Sequence, residues 1–372
     1  MQEHLARLQD PDPYVRQKAA EVLGKMGTAA ATPKVVQALT ERLREDENKG
    51  VREAAARALG RMETAAATPE VLQALTERLR EDAAKEVRWA AVWALEKMGE
   101  AAATPEVLQA LTERLREDAA KDVRWVAAWA LGKMGPAAAT PEVLQALTER
   151  LREDEDWGVR WEAAGALGQM GKAAATPEAI QALAERLLQD ESMWVRQAAA
   201  GALGKMGRAA AQKEVIQALV QALRDRDPDV RSEAAEALRQ LLPAHPEALR
   251  NFLRVLPVPM TPQETQTLEG VFRDSPWAVP ALRALLSDPD PKVRARAVWA
   301  LGAVGPAAAT PEIIRDLLAR RLDKAPTVRT AALKVLRRLP VSSETVSAVL
   351  RDIQGDEPEA AEATAWALER LG

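Results

Sequence analysis

AAATPEVLQALTERLRED stands at residues 65–82 and recurs unchanged at 101–118 and 137–154, each copy 36 residues after the last. A fixed period of this length marks a stacked repeat, in which no unit buries its apolar face alone and neighbours complete one another's core. Thr68-Pro69-Glu70 starts a helix. Threonine caps it, proline needs no hydrogen-bond partner in the first turn, and a carboxylate favours the positive end of the dipole. This helix A carries Val71, Leu72, Leu75 and Leu79 on one stripe, with Glu70, Gln73, Glu77 and Arg80 facing water. A polar connection from Glu81 to Glu86 leads to helix B, VRWAAVWALEKMG (87–99). Its buried stripe is Val87, Ala91, Ala94, Leu95 and Met98, and Gly99 suits a C-terminal cap.

The Val-Arg pair that opens helix B indexes the array at Val15, Val51, Val87, Val123, Val159, Val195, Val230, Val293 and Val328, with Ala360 in the valine place of a weaker last copy. The interval from Val230 to Val293 is too long for one unit and is assigned a degenerate repeat at about Pro262–Leu286. Three regions follow: regular 36-residue repeats over 1–225, a Pro-rich degenerate stretch over 226–292, and C-terminal repeats over 293–372. Pro257, Pro259 and Pro262 interrupt the helical pattern and place a bend near 256–262. Neither end carries an evident polar capping repeat, so the chain is expected to be a piece of a longer protein or complex, or to dock its ends onto something.

The motif D-P-x-V-R followed by A-A-x-A-L-G, clearest in DPYVRQKAAEVLGKMG (12–27), DPDVRSEAAEAL (227–238) and DPKVRARAVWALG (290–302), resembles the HEAT-repeat family. The central repeats depart from it, with Asn48-Lys49, Ala84-Lys85, Ala120-Lys121, Asp156-Trp157 and Ser192-Met193 in place of Asp-Pro. The resemblance implies an all-α, right-handed α-solenoid of about ten stacked HEAT-type helix pairs, helix B lining the concave side. The longer unit with its AAATPE connector is similar to HEAT arrays of bacterial signalling NTPases and of phycobilin lyases.

Composition narrows the function classes. Aromatic residues make up 3% of the 372, net charge is −4 with both signs interspersed, and there is no cysteine. Disulfide and thiolate chemistry are thereby excluded, and nucleic acid is disfavoured as a partner. No apolar run approaches the ~18 residues of a membrane span, and no signal-peptide pattern opens the chain. The expectation is a cytoplasmic chain without a membrane partner. His4 and His245 are isolated, and no phosphate loop, nucleophile elbow or zinc motif is present. No cofactor, metal site or catalytic residue is therefore assigned.

The tryptophans carry the functional signal. With the helix-B valine as position 0, positions +2 and +6 share a face away from the buried stripe. Position +2 reads Gln17, Glu53, Trp89, Trp125, Trp161, Gln197; position +6 reads Glu21, Arg57, Trp93, Trp129, Gly165, Gly201, with Trp299 and Trp366 farther along. Seven of the ten tryptophans thus fall in two slots, while helix A is copied unchanged. Change concentrated on one face is what a ligand-facing surface shows. Trp157 and Trp194 sit at its rim, Lys97 and Lys133 one turn beyond, and Arg88, Arg124 and Arg160 nearby. Gly165 and Gly201 leave a recess beside Trp161.

These residues are the candidate partner-binding set of a non-enzymatic scaffold or sensor holding a protein or peptide in its groove. Competing readings are an enzyme handling a flat ligand or a DNA base, of phycobilin-lyase or DNA-glycosylase type, and a passive spacer or oligomerisation module. The indoles are also readable as lying flat over alanine-rich neighbours, and the Val-Arg arginines as braces between repeats rather than a phosphate track.

Overall fold

The computed structural model describes residues 1–341 apart from 245, 257–261, 274 and 276, together with Thr345 and Val349. Among them there is helix and no strand. The chain divides into two compact units, Met1–Met206 and Gly207–Gly372, a division that precedes the change in composition at 225. The Ala360 repeat, Trp366, His245, Pro257, Pro259, Pro276 and the core of the expected bend lie outside the described residues.

The first unit is six helix pairs in chain order: α1 Gln2–Arg7 and α2 Pro13–Lys25, α3 Pro33–Glu45 and α4 Lys49–Arg61, α5 Pro69–Glu81 and α6 Lys85–Met98, α7 Pro105–Glu117 and α8 Lys121–Lys133, α9 Pro141–Glu153 and α10 Trp157–Met170, α11 Pro177–Gln189 and α12 Met193–Met206. The second holds α13 Lys213–Ala222 and α14 Pro228–Leu241, α15 Pro246–Val255 and α16 Pro262–Phe272, α17 Ala278–Leu285 and α18 Pro291–Val304, α19 Pro311–Arg320 and α20 Pro326–Arg338. Ten pairs therefore lie among the described residues, an all-α stack of repeats.

Local chemistry explains each boundary. The Thr68 hydroxyl accepts the Val71 amide, and Thr32, Thr104 and Thr140 do the same for α3, α7 and α9. Helix B begins two residues earlier than its Val-Arg pair suggests. The Asp82 carboxylate accepts the Ala84 amide, which turns the chain at once into α6 and leaves a connection of Asp82 to Ala84. Val87, Ala91, Ala94, Leu95 and Met98 are fully buried. After each B helix of the first unit a short 3-10 turn buries one alanine, such as Ala66 or Ala102, before the next A helix.

That turn requires left-handed backbone. Gly27, Gly99, Gly135, Gly171 and Gly207 have φ between 56° and 64°, and Glu63, at the same place in its repeat, has φ 52°. An L side chain is strained there.

The two rows of helices in the first unit pack differently. In the B row a methyl group on Gly24, Gly60, Gly132 or Gly168 would meet the Cα of an alanine in the next B helix at 2.8–3.0 Å, so these helices touch backbone to backbone. The A row leaves grooves between successive helices, about 540 Å³ where α3 meets α5 and about 480 Å³ where α9 meets α11. Closer spacing in the B row is the geometry of the inner side of a curved stack.

Arginine ties each repeat to the next. Arg88 binds both oxygens of Asp118 at 2.7 and 2.9 Å and donates to the carbonyls of Asp82 and Ala83. Arg16, Arg52, Arg124 and Arg160 repeat the pattern with Asp46, Asp82, Asp154 and Asp190. In the second unit Arg294 does so with Asp323.

The degenerate pair is out of phase with its expected position. The interval 262–286 spans α16 and α17, which belong to different pairs. Helix α16 packs against α14 and α18 in the B row, whereas α15 lies with α13 and α17 in the A row. Thr261-Pro262-Gln263-Glu264 resembles the start of helix A, but proline in a first turn suits either row, as Pro228, Pro291 and Pro326 show in B helices. Both phenylalanines of the chain mark the true pair: Phe252 of α15 meets Phe272 of α16 edge to face at 5.7 Å. Arg296 of α18, itself buried, donates to the carbonyls of Leu253 and Arg254 and closes the end of α15.

Two outcomes test this scheme. Glu63→Gly relieves the strained turn and is expected to raise the stability of the first unit by about 1 kcal/mol in urea unfolding. Asp118→Ala strands the Arg88 guanidinium and is expected to cost about 3 kcal/mol, with hydrogen exchange quickened at α6–α8 first. Burial raises the carboxyls of Asp46, Asp82 and Asp118, but their arginines and the amides they accept outweigh it and hold each below the usual aspartate range. Their contribution is therefore complete above about pH 4 and is lost as pH falls through the lowered values.

Candidate functional site

The face that gathers the tryptophans is the B row of the first unit. Trp89 and Trp93 project from α6, Trp125 and Trp129 from α8, Trp161 from α10. Four of them are less exposed than the +2/+6 pattern suggests: Trp89, Trp93, Trp125 and Trp129 are half-buried. The reason lies in the neighbouring repeats. Trp93 lies over Gly60, where a methyl group would come within 2.9 Å of its ring, and Trp125 reaches over Gly158. The exposed end of the strip is Trp157, Trp161 and Trp194, at 47%, 37% and 45%.

Cations cover several of the ring faces. The Arg57 guanidinium sits 5.3 Å from the centre of Trp89. The Lys97 ammonium lies 5.7 Å from both Trp93 and Trp129, held between two repeats. Trp125 and Trp129 stack on each other, centroids 6.0 Å apart and planes at 19°. Between Trp89 and Trp125 runs a cleft of about 270 Å³, edged by Glu53, Lys85, Glu86 and Asp122. Lys133 is exposed one turn beyond Trp129. The arrangement offers indole edges and faces flanked by charges of both signs.

Arg88, Arg124 and Arg160 stand apart from this set. Their guanidiniums are committed to Asp118, Asp154 and Asp190 and to loop carbonyls, and Arg160 is buried. They set the spacing of the helices that carry the indoles.

Two glutamates belong to the site that the tryptophan pattern does not reveal. Glu96 occupies the slot of Gly60 and Gly132, is buried, and wedges where the other B helices touch, so α6 and α8 approach less closely than α4 and α6. Its Oε2 has no hydrogen-bond partner and lies 3.3 Å from Lys97 Nζ, out of line for a bond. Glu162 follows Trp161, in the slot held by Ala54, Ala90 and Val126 in earlier repeats, and is 5% exposed. Burial pushes its carboxyl up to about 7 against the opposing pull of the Lys133 ammonium. Register comparison of the repeats is the signal that finds both.

Comparison with known proteins agrees with this architecture. The family model for HEAT repeats matches residues 2–96, 36–132, 108–204, 146–239, 180–257, 265–320 and 279–371. Among solved structures the chain is similar to the crystal structure of an engineered protein, at 21% identity and TM-score 0.52, with 99% of this chain and 97% of that one covered. At that identity the likeness concerns the fold. The comparison with curated proteins returns no match. No helix among the described residues is long and apolar enough to cross a membrane.

Glu162 makes a pH prediction with a definite sign. A carboxyl raised by burial binds its proton more tightly in the folded chain than in the unfolded one, so its ionisation opposes folding. Melting temperature of the wild type is expected to fall from pH 5 to pH 8 by a few degrees more than that of Glu162→Gln.

Proposed function

The chain belongs to the HEAT-repeat family, and from that premise we propose that it is a non-enzymatic scaffold holding a protein or peptide partner along the B face of its first unit. The observation that carries this reading is the strip from Trp89 to Trp194, in which indoles gathered on one face of the first unit keep part of their surface in water. Partly exposed tryptophans grouped on one face have the composition of binding hot spots. Lys97 between Trp93 and Trp129, and Arg57 over Trp89, suit a segment bearing apolar and acidic side chains at that end. Asp82, Asp118 and Asp154 at the repeat joints are engaged by the arginine ladder, which supports a bracing role for them over acid–base chemistry.

The test is a peptide array probed with the wild type and with Trp125→Ala/Trp129→Ala. Selected peptides are expected to lose ~2 kcal/mol or more, about a 30-fold weakening, while circular dichroism stays helical. Gln109→Ala on the A row is expected to leave binding unchanged. Unaltered binding in the double variant, together with a large drop in melting temperature, would make the indoles packing elements and overturn the proposal.

A further inference from the structure

Trp161 lacks a companion that the preceding repeat has. In α8 the indoles of Trp125 and Trp129, four residues apart on one helix face, stack on each other. In α10 the same two places hold Trp161 and Gly165, so the indole that stacks in α8 has no counterpart and the space beside Gly165 is open. A methyl group built on Gly165 would meet one atom within 4 Å, Oε1 of Glu162, at 3.9 Å. The recess that replaces an indole therefore has a carboxylate directed into it.

That carboxylate is unpaired. Glu162 is 95% buried, since 5% of it is exposed, and it makes no hydrogen bond or ion pair with a described residue. The charge it feels is Lys133 of α8, which is exposed on a flexible stem and not in contact. The neighbouring guanidiniums are occupied: Arg160 by Asp190, and Arg196 of α12 by the carbonyls of Asp190 and Glu191. A buried carboxylate without a partner is costly, and the three preceding repeats place Ala54, Ala90 and Val126 there. Nothing in the packing of α10 uses its charge.

We propose that the Gly165 recess receives an arginine side chain of a partner polypeptide, its guanidinium stacked on Trp161 and paired with the Glu162 carboxylate. This rests on the scaffold reading above and names the partner's chemistry. A guanidinium is planar, as the missing indole is, and it is weakly hydrated. It stacks on tryptophan while its N–H groups bind both oxygens of a carboxylate. An ammonium supplies charge without the plane, and an anion would be repelled by Glu162. The pairing replaces lost hydration of the carboxylate, which apolar side chains cannot do.

The test titrates the full chain, labelled with 15N at its indoles, with N-acetyl-arginine methylamide, and in parallel with the citrulline and lysine equivalents. The arginine probe is expected to give a saturable shift of the Trp161 indole N–H, the lysine probe a fivefold weaker one, and the citrulline probe none. Glu162→Gln is expected to weaken arginine tenfold or more. Gly165→Trp, which restores the pair seen in α8, is expected to abolish binding with the helical spectrum intact. Lys133→Ala removes the opposing charge and is expected to tighten binding.

Equal responses to arginine and citrulline, or an unchanged response in Glu162→Gln, overturns the proposal. If that happens while array peptides still depend on Trp125 and Trp129, the scaffold reading stands and the arginine slot falls. The converse result leaves the slot without the strip. Self-association of the chain that Glu162→Gln abolishes would assign the arginine to a second copy and overturn a foreign partner.

Discussion

The guanidinium that crosses from one repeat to the next is the constraint on which the rest of the structure depends. Arg88 holds the carbonyls of its own connection and, thirty residues on, the carboxylate of Asp118. The same carboxylate accepts the Ala120 amide that opens α8. One link thus sets the path of a connection, the start of the next B helix and the offset between pairs. Its net energy is small, because removing two charges from water costs nearly what their attraction returns. Cohesion comes instead from apolar stripes such as Val87, Ala91 and Leu95, all fully buried. The arginine contributes register, and uniform register lets side chains at +2 and +6 line up into a strip.

Local rules were legible in the sequence because they act within a few residues. Threonine caps, first-turn prolines and glycines at positive φ all stand where the 36-residue period puts them. The degenerate pair was not legible in phase. Proline in a first turn marks that a helix begins and not which row it joins, so Pro262 read as helix A when it opens a B helix. The extent of tryptophan exposure was equally out of reach. It is set by what the adjacent repeat presents, namely Gly60 beneath Trp93 and Arg57 and Lys97 over the rings. The division of labour among the cations needed distances, which separate the clamped Arg88 from Lys97 between its indoles.

Three glutamates break the repeat, and they do so around the strip. Glu63 takes a turn that suits glycine, Glu96 takes the contact that lets B helices touch, and Glu162 takes an apolar slot. Their costs differ in kind: backbone strain, a wider joint and a buried charge. A stack in which each repeat touches its neighbours alone confines such costs to one joint. Wedging by Glu96 occurs at the α6–α8 joint, the one that Lys97 bridges between Trp93 and Trp129. The widened joint and the richest aromatic cluster therefore coincide.

The face is consequently not the same along its length. Toward α4 and α6 cations lie over the indoles; at α10 the last aligned indole has the open space at Gly165 and a carboxylate beside it. Neighbouring helices of a row stand roughly 10 Å apart, about three residues of extended chain. On the scaffold reading, a segment with acidic or apolar side chains at Trp93 and Trp129 reaches the Gly165 recess after about three to five residues. Reversing that order would set like charges against each other at both ends. Charge placement on two repeats thus gives the surface a direction, although the helices beneath it are near copies of one another.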